Sequence, residues 1–344
     1  MSRLQTLQSR LDEPFLVTAP ANVRYLTGFD SSNAALLVEP DRVRLYSDFR
    51  YAEAGKNVEG VEFIATKRNL FASLADELSG RVGFEADAVT YAAYQALDAG
   101  GLELVPRRGV VEELRAVKDE AELDLIRRAG EITSEAFERL SQEPFVGRTE
   151  KQVAWRLESL YHELGADGPA FPTIVAAGPN GATPHAHTSD QQIPDGTTVV
   201  IDSAAAFGGY VSDCTRTFAT GDLPEELAHA YELTKQAQQA GLDAVRPGVG
   251  GREADAAARD IITGAGYGEH FGHGLGHGLG ILVHETPRLS QESDDVLEVG
   301  NVVTVEPGIY LPGLGGIRIE DLVIVREDGP EILTTFTKEL VTVE

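Results

Sequence analysis

The stretch Phe271 to Pro287, FGHGLGHGLGILVHETP, sets His273, His277 and His284 among five glycines that alternate from Gly272 to Gly280. Imidazole titrates nearest to neutrality and is the commonest nitrogen ligand of metals, so three so close together point to acid–base or metal chemistry. A glycine at every second position would weaken a helix by about 1 kcal/mol each, and suits an extended chain that a backbone or a ligand approaches closely. The histidines are therefore expected on a strand and its turn. No glycine triplet has the G-x-G-x-x-G spacing of a dinucleotide loop. The zinc helix motif H-E-x-x-H also fails, because His284-Glu285 is followed by Thr286-Pro287.

Carboxylates that could join these histidines come from two strings that echo each other. Pro194-Asp195-Gly196 leads through Thr-Thr-Val-Val-Ile to Asp202, and Leu297-Glu298-Val299-Gly300 leads through Asn-Val-Val-Thr-Val to Glu306. In both, a turn glycine precedes by six residues an acid at the end of a β-branched strand, and a second strand brings another acid, Asp213 after Gly209-Tyr210-Val211-Ser212 and Glu320 after Gly316-Ile317-Arg318-Ile319. An apolar strand that ends in a buried, unpaired carboxylate costs several kcal/mol or a shifted pKa. A cationic partner is therefore expected. Arg216 and Arg318 could each pair with one acid, but four acids and a histidine at one centre need more charge than two arginines carry. Two divalent ions would balance Asp202, Asp213, Glu306 and Glu320, and an oxygen-rich set with one imidazole suits Mn²⁺ first, with Co²⁺ or Fe²⁺ next and Zn²⁺ behind them. The bland alternative is two surface hairpins with exposed acids.

The elements that must hold these residues repeat as well. From Glu112 to Leu140 apolar residues recur at helical spacing, and a Thr149-x-x-Gln152 capping box opens a second helix to Leu164. Extended chain follows over Phe171 to Ala177, a turn at Gly178 to Gly181, and Pro184-His185-Ala186-His187. Pro224 to Val245 and Gly251 to Ala265 repeat the two helices, and the histidine stretch with Ile281-Leu282-Val283 repeats the extended chain. Two such halves, related by a pseudo-two-fold, would bring the four acids and a histidine to one axis. Residues 1–111 read instead as a smaller α/β domain, with strands such as Ala34 to Val38 and helices at Leu70 to Leu78 and Tyr91 to Ala99. Its Asp48-Phe49-Arg50-Tyr51 is the most suggestive polar group, read as structural. The second domain is expected over 112–344.

Composition narrows the classes. Hydrophobic residues make up 42% of the 344 residues and no apolar run nears the length of a membrane span, so a soluble, unexported protein is expected. A formal net charge of −26 disfavours nucleic acid and anionic membrane as partners. A lone cysteine, Cys214, excludes an internal disulfide framework and a Cys-based zinc site, and fits the cytoplasm.

The strings Asp213-Cys-Thr-Arg-Thr, Leu275-Gly-His277-Gly, Val283-His284-Glu285-Thr-Pro287, Thr304-Val-Glu306-Pro-Gly-Ile-Tyr310 and Gly316-Ile-Arg318-Ile-Glu320-Asp together resemble the pita-bread metallopeptidases: prolidases, aminopeptidases P and methionine aminopeptidases. The resemblance runs from about Glu112 to the C-terminus, and the opening region is more loosely similar to the creatinase/prolidase N-terminal domain. It implies an α/β (α+β) chain with a C-terminal pita-bread domain. It also implies that Asp202 chelates one metal, His277 and Glu306 hold the other, Asp213 and Glu320 bridge, and a hydroxide shared by the two metals attacks the peptide bond. Glu306 would act as base, His284 would donate to the oxyanion, and His185 would be a second substrate-side histidine. His273, Arg288, Arg318 and Tyr310 would line or support the substrate pocket, while His187 and His270 are read as surface or loop residues. Asp202-Ser203-Ala204 departs from the family's usual Asp-x-Gly, so a local backbone difference is expected there, with no ligand lost. Arg288 stands where the resemblance to microbial prolidases implies an arginine that forks onto the free carboxylate, which favours a dipeptidase cutting Xaa-Pro dipeptides. Aminopeptidase P, acting on longer peptides, is the alternative. Methionine aminopeptidase, a dinuclear phosphohydrolase and a metal-free peptide-binding module stand further back. A homodimer is what the family implies.

Overall fold

The computed structural model describes residues 2–344. The chain divides after Arg115 into two compact units.

In the first unit, strands β1 (Phe15–Val17), β2 (Ala34–Val38), β3 (Val43–Asp48), β4 (Glu62–Thr66), β5 (Arg81–Glu85) and β6 (Glu103–Arg107) form one mixed sheet in the order β4-β3-β2-β1-β5-β6. Helices Leu70–Glu77 and Tyr91–Ala99, capped by Asn69 and Thr90, bury Leu74 and Leu97 against Leu16, Leu37, Tyr46 and Phe84 of the sheet. Asp48 closes β3 as a buried carboxylate. The forked Arg50 donates to it at 2.9 and 2.7 Å, Asn33 donates at 2.6 Å, and the guanidinium holds its pKa well below the usual carboxylate range. The group brackets a turn.

One expectation fails along the chain across Arg115. The helical pattern from Glu112 runs unbroken to Leu140, yet the structure has a short helix, Glu112–Ala116, and a separate one, Glu120–Leu140. Asp119 caps the second in a reciprocal box with Glu122, and the Lys118 amide donates to Gly300 O at 3.0 Å instead of continuing the helix. Apolar spacing cannot register a three-residue break of this kind, because the cap satisfies locally the amides that a continuous helix would have bonded.

The strands of the second unit are β7 (Gly168–Pro169), β8 (Ile174–Ala177), β9 (Thr197–Ser203), β10 (Ala205–Phe207), β11 (Tyr210–Val211) and β12 (Cys214–Thr220) in its first half. The second half contributes β13 (Gly276–Gly278), β14 (Glu285–Leu289), β15 (Val302–Val305), β16 (Gly308–Leu311), β17 (Gly315–Arg318), β18 (Asp321–Arg326) and β19 (Gly329–Ile332). The halves repeat one plan. Helices Glu120–Leu140 and Glu150–Glu163 pack on the antiparallel run β12-β9-β8, and helices Glu225–Ala244 and Gly251–Gly264 precede β14-β13-β15-β18-β19, in which β13, β15 and β18 take the corresponding order. Ile132, Phe137, Leu157, Val199, Ile201 and Phe218 fill one half, while Tyr231, Leu242, Ile262, Val303, Val305 and Val323 fill the other. Gly196 and Gly300, six residues before Asp202 and Glu306, both turn with positive φ, 74° and 89°, where a side chain would be strained. The segment Gly280 to His284, expected to be extended, is a bend, and the chain is strand only on either side of it. Among the described residues no helix is long and apolar enough to cross a membrane.

Candidate metal centre

Pairing within the two sheets delivers the acids. Thr215 of β12 lies opposite Asp202 of β9, so Asp213, just ahead of β12, reaches the same end of that hairpin. Asp321 of β18 lies opposite Val305 of β15, which sets Glu306 and Glu320 at the equivalent end of the other pair. The Glu306 amide donates to Leu275 O at 2.8 Å and so ties this acid to the histidine stretch. Glycine makes that approach possible. A Cβ on Gly276 would run into the Thr304 carbonyl, and one on Gly278 into the carbonyl of Thr286. His277, between them, is carried on β13 with neighbouring backbone pressed against both flanks.

The carboxylates outnumber the cations that face them. Arg318 donates Nη2 to Asp202 at 2.6 Å, and Thr215 donates its hydroxyl to Glu320 at 2.8 Å. Asp213 is buried, and its Oδ1 has no hydrogen-bond partner. Burial, reinforced by the charges of Asp202 and Glu306 and opposed by Arg318, pushes Asp213 well above the usual carboxylate range. Glu320 is raised in the same way by burial, then by Asp213 and Glu306. Burial also pushes Glu306 up to about 8, with Asp202 adding to the effect and Arg318 opposing it. His277 Nδ1 faces Gly278 O at 3.1 Å, so Nδ1 carries the proton and the Nε2 lone pair points to the acids, 3.3 Å from Glu306 and 3.8 Å from Asp213. Burial, then the neighbouring His284, lowers His277 to about 4. Ligand atoms of Asp213, His277 and Glu320 all lie within 4.8 Å of one another.

Arg318 organises the surrounding groups. Its Nε donates to Thr215 Oγ1 at 3.1 Å, and Nη1 donates to Pro184 O at 3.2 Å and to the Tyr310 hydroxyl at 2.8 Å. His273 Nδ1 faces Gly274 O at 2.8 Å and must carry the proton, so its Nε2 accepts from Tyr310 at 2.9 Å. Both His273 nitrogens are thereby committed. Arg216, offered by its sequence position as partner to one of the four acids, turns elsewhere and pairs with Asp321 at 2.7 Å in full burial.

Residues 124–327 match the profile of metallopeptidase family M24, and residues 3–117 match the creatinase/prolidase N-terminal domain. The chain belongs to metallopeptidase family M24. It is similar to the Xaa-Pro dipeptidase of Pyrococcus furiosus, at 35% identity over 98% of this chain and 99% of that one. Among solved structures it resembles a Xaa-Pro dipeptidase from Bacillus anthracis, with TM-score 0.94 and 38% identity over 99% of each chain. It also resembles an X-Pro aminopeptidase from Thermotoga maritima, with TM-score 0.86 and 35% identity over 96% of this chain and 97% of that one. The repeated second unit is the pita-bread fold of the family, and the first unit is its N-terminal domain.

An M24 metallopeptidase implies divalent metal, and the residues present fit one. The donors are carboxylate oxygens and one imidazole nitrogen, one buried oxygen has no partner, and burial, with the repulsion of neighbouring acids, pushes three of the acids toward protonation. In front of them opens a cleft of about 700 Å³. Asp202, Asp213, His277, Glu306 and Glu320 line it, as do His185, His273, His284, Tyr310 and Arg318. Arg288 is exposed on β14 and is not among the lining residues. His284 is lowered by burial and then by His185, so it is neutral at pH 7. Ala204 follows β9 with an ordinary backbone, since no non-glycine residue among those described has positive φ, and Asp202 keeps its register with Thr215.

Two histidines read as bland lie closer to the site than expected. His187 lines the cleft, and His270 faces Tyr310 O at 2.9 Å. For His187 a signal existed, because in an extended Pro-His-Ala-His strip alternate residues share a side. An apolar wall of Phe171, Pro172, Ile174 and Val283 had no such signal, since nothing local distinguishes these residues from core.

Proposed function

We propose that this chain is a metal-dependent Xaa-Pro dipeptidase. The observation that carries the proposal is a set of four carboxylates and one imidazole, with Asp213 and Glu320 buried and the others half-buried, that faces a single arginine and opens into a cleft beside His284. Asp202, Asp213, His277, Glu306 and Glu320 would hold two divalent cations, Mn²⁺ before Co²⁺ or Fe²⁺. Bound there, such a pair supplies charge that polarises a peptide carbonyl and acidifies water near neutral pH. Glu306 takes the proton of the attacking water and returns it to the departing proline nitrogen. His284 donates N–H to the carbonyl oxygen as negative charge develops, and His185 donates to the substrate from the strip 184–188. Tyr310 and Arg318 hold His273 and Asp202 in place, so His273 shapes the pocket without a free nitrogen to offer. Arg288, exposed on β14 outside the cleft lining, would fork onto the dipeptide's free carboxylate only by swinging its side chain to the cleft. The proposal extends to a homodimer in the cytoplasm, in keeping with a Cys214 that is buried and free.

The test is to strip the protein of metal, restore Mn²⁺ or Co²⁺, and follow release of the N-terminal residue from Ala-Pro, Ala-Ala and Ala-Pro-Ala. Metal-dependent cleavage confined to Ala-Pro is expected. Equal or better cleavage of Ala-Pro-Ala would favour the aminopeptidase reading, which the position of Arg288 outside the cleft lining and the likeness to the Thermotoga structure support. No cleavage and no bound metal would bring forward a binding module.

His284→Ala should lower kcat for Ala-Pro about 10²- to 10³-fold with little change in KM. A raised KM at unchanged kcat would instead make His284 a ground-state contact.

A further inference from the structure

Glu150 opens the helix Glu150–Glu163, yet its carboxylate serves the loop beside the cleft. Thr149 already caps that helix, accepting the Gln152 amide. The Glu150 side chain is completely buried, and among the described residues it has no cationic partner. Five hydrogen bonds converge on it. Oε1 accepts from the Ala177 amide at 2.8 Å and Asn180 Nδ2 at 3.0 Å. Oε2 accepts from Asn180 Nδ2 at 2.9 Å, the Ser189 amide at 2.8 Å and the Ser189 hydroxyl at 2.7 Å. An ionised carboxylate offers about four acceptor sites and no donor, so this ring of donors is matched to that group alone.

Every donor belongs to the segment 177–189, and its residues 184–188 line the cleft with His185 and His187 among them. Asn180, held by Glu150, also donates to His187 O at 3.2 Å. The Thr188 hydroxyl, next to Ser189, accepts from Val175 N and donates to Thr173 O, both at 2.9 Å. At the far end Arg318 takes Pro184 O. The strip has no sheet partner of its own, so these side-chain anchors set where its histidines stand.

We infer that Glu150 is a positioning residue for the substrate-facing strip 184–188, acting on turnover through His185 without touching substrate; this rests on the peptidase reading of the cleft. Glu150→Gln is the sharp probe, because it keeps the shape and turns one acceptor into an NH₂ facing donors. The expected result is a fall of about tenfold or more in kcat/KM for Ala-Pro, since small misplacements of a reacting group are costly. Metal content should match that of the wild type. In a His185→Ala background the same change should add less than about twofold, as residues acting through one group do not multiply. Independently of activity, amide exchange over 183–189 should quicken in the metal-free variant. Unchanged exchange, wild-type kcat/KM, or losses that multiply with His185→Ala would each overturn the assignment. Where Glu150→Gln does not fold, Asn180→Ala removes two of the five bonds and is subject to the same measurements. A wild type that never cleaves Ala-Pro would sink the peptidase reading, while the exchange measurement would still judge the anchor.

Discussion

Glu306→Gln is expected to leave the protein folded and to cut kcat for Ala-Pro by about 10³-fold or more, within the range general acid–base groups contribute. The amide keeps the volume and one acceptor oxygen, so the hydrogen bond from Thr304, 3.3 Å away, survives, but it cannot carry the proton of the attacking water. The stability effect runs the other way. Glu306 is pushed up to about 8 chiefly because burial strips water from its charge, with the charge of Asp202 adding to the effect, so removing the charge relieves the metal-free fold. Metal-free Glu306→Gln should therefore melt above the wild type at pH 8 and close to it near pH 4, a pattern readable by circular dichroism. A variant with near-normal turnover would end the assignment of Glu306 as base.

The second large effect is the pH dependence of the metal-free protein. Asp213, Glu306 and Glu320 have folded pKa values raised above their unfolded ones. Below about pH 4 both states are protonated and no penalty arises. As pH rises, the unfolded chain releases protons that the folded chain retains, so stability falls by as much as about 1.4 kcal/mol per pH unit for each group in that window. His273 and His277, lowered to about 4, work oppositely below pH 6.5, where the unfolded chain gains protons that the folded one refuses. The clean window is therefore pH 6.5 to 8. There the melting temperature of the metal-free protein should drop with rising pH, by about 1–2 °C for each kcal/mol lost. Saturating Mn²⁺ should abolish or reverse the slope, because metal binds the deprotonated ligands and gains most where proton competition is weakest. A metal-free protein whose stability rises from pH 6.5 to 8 would contradict the charge-starved centre.

How much of this was legible beforehand depended on whether the deciding contact was local. The helix from Glu150 announces itself by its Thr149-x-x-Gln152 box; the break before Glu120 left a local signal too, the Asp119-x-x-Glu122 box, but the Gly300 carbonyl that takes the Lys118 amide lies far along the chain. Arg216 and Arg318 look alike in sequence, each two or three residues from an acid of the set. Only packing sends one to Asp321 and the other to Asp202. The Pro-His-Ala-His strip was visible, but not the buried Glu150 that anchors it from another element.

By itself the sequence determined the family, the repeated plan of the second unit and the acids at its strand ends, because strand pairing and turn glycines repeat in register with those residues. The tertiary structure alone decided the apolar wall of the cleft, the commitment of both His273 nitrogens to Gly274 and Tyr310, and the shortage of cations around Asp213. These depend on which groups leave water together, and burial is a property of the folded whole that no single stretch of chain encodes.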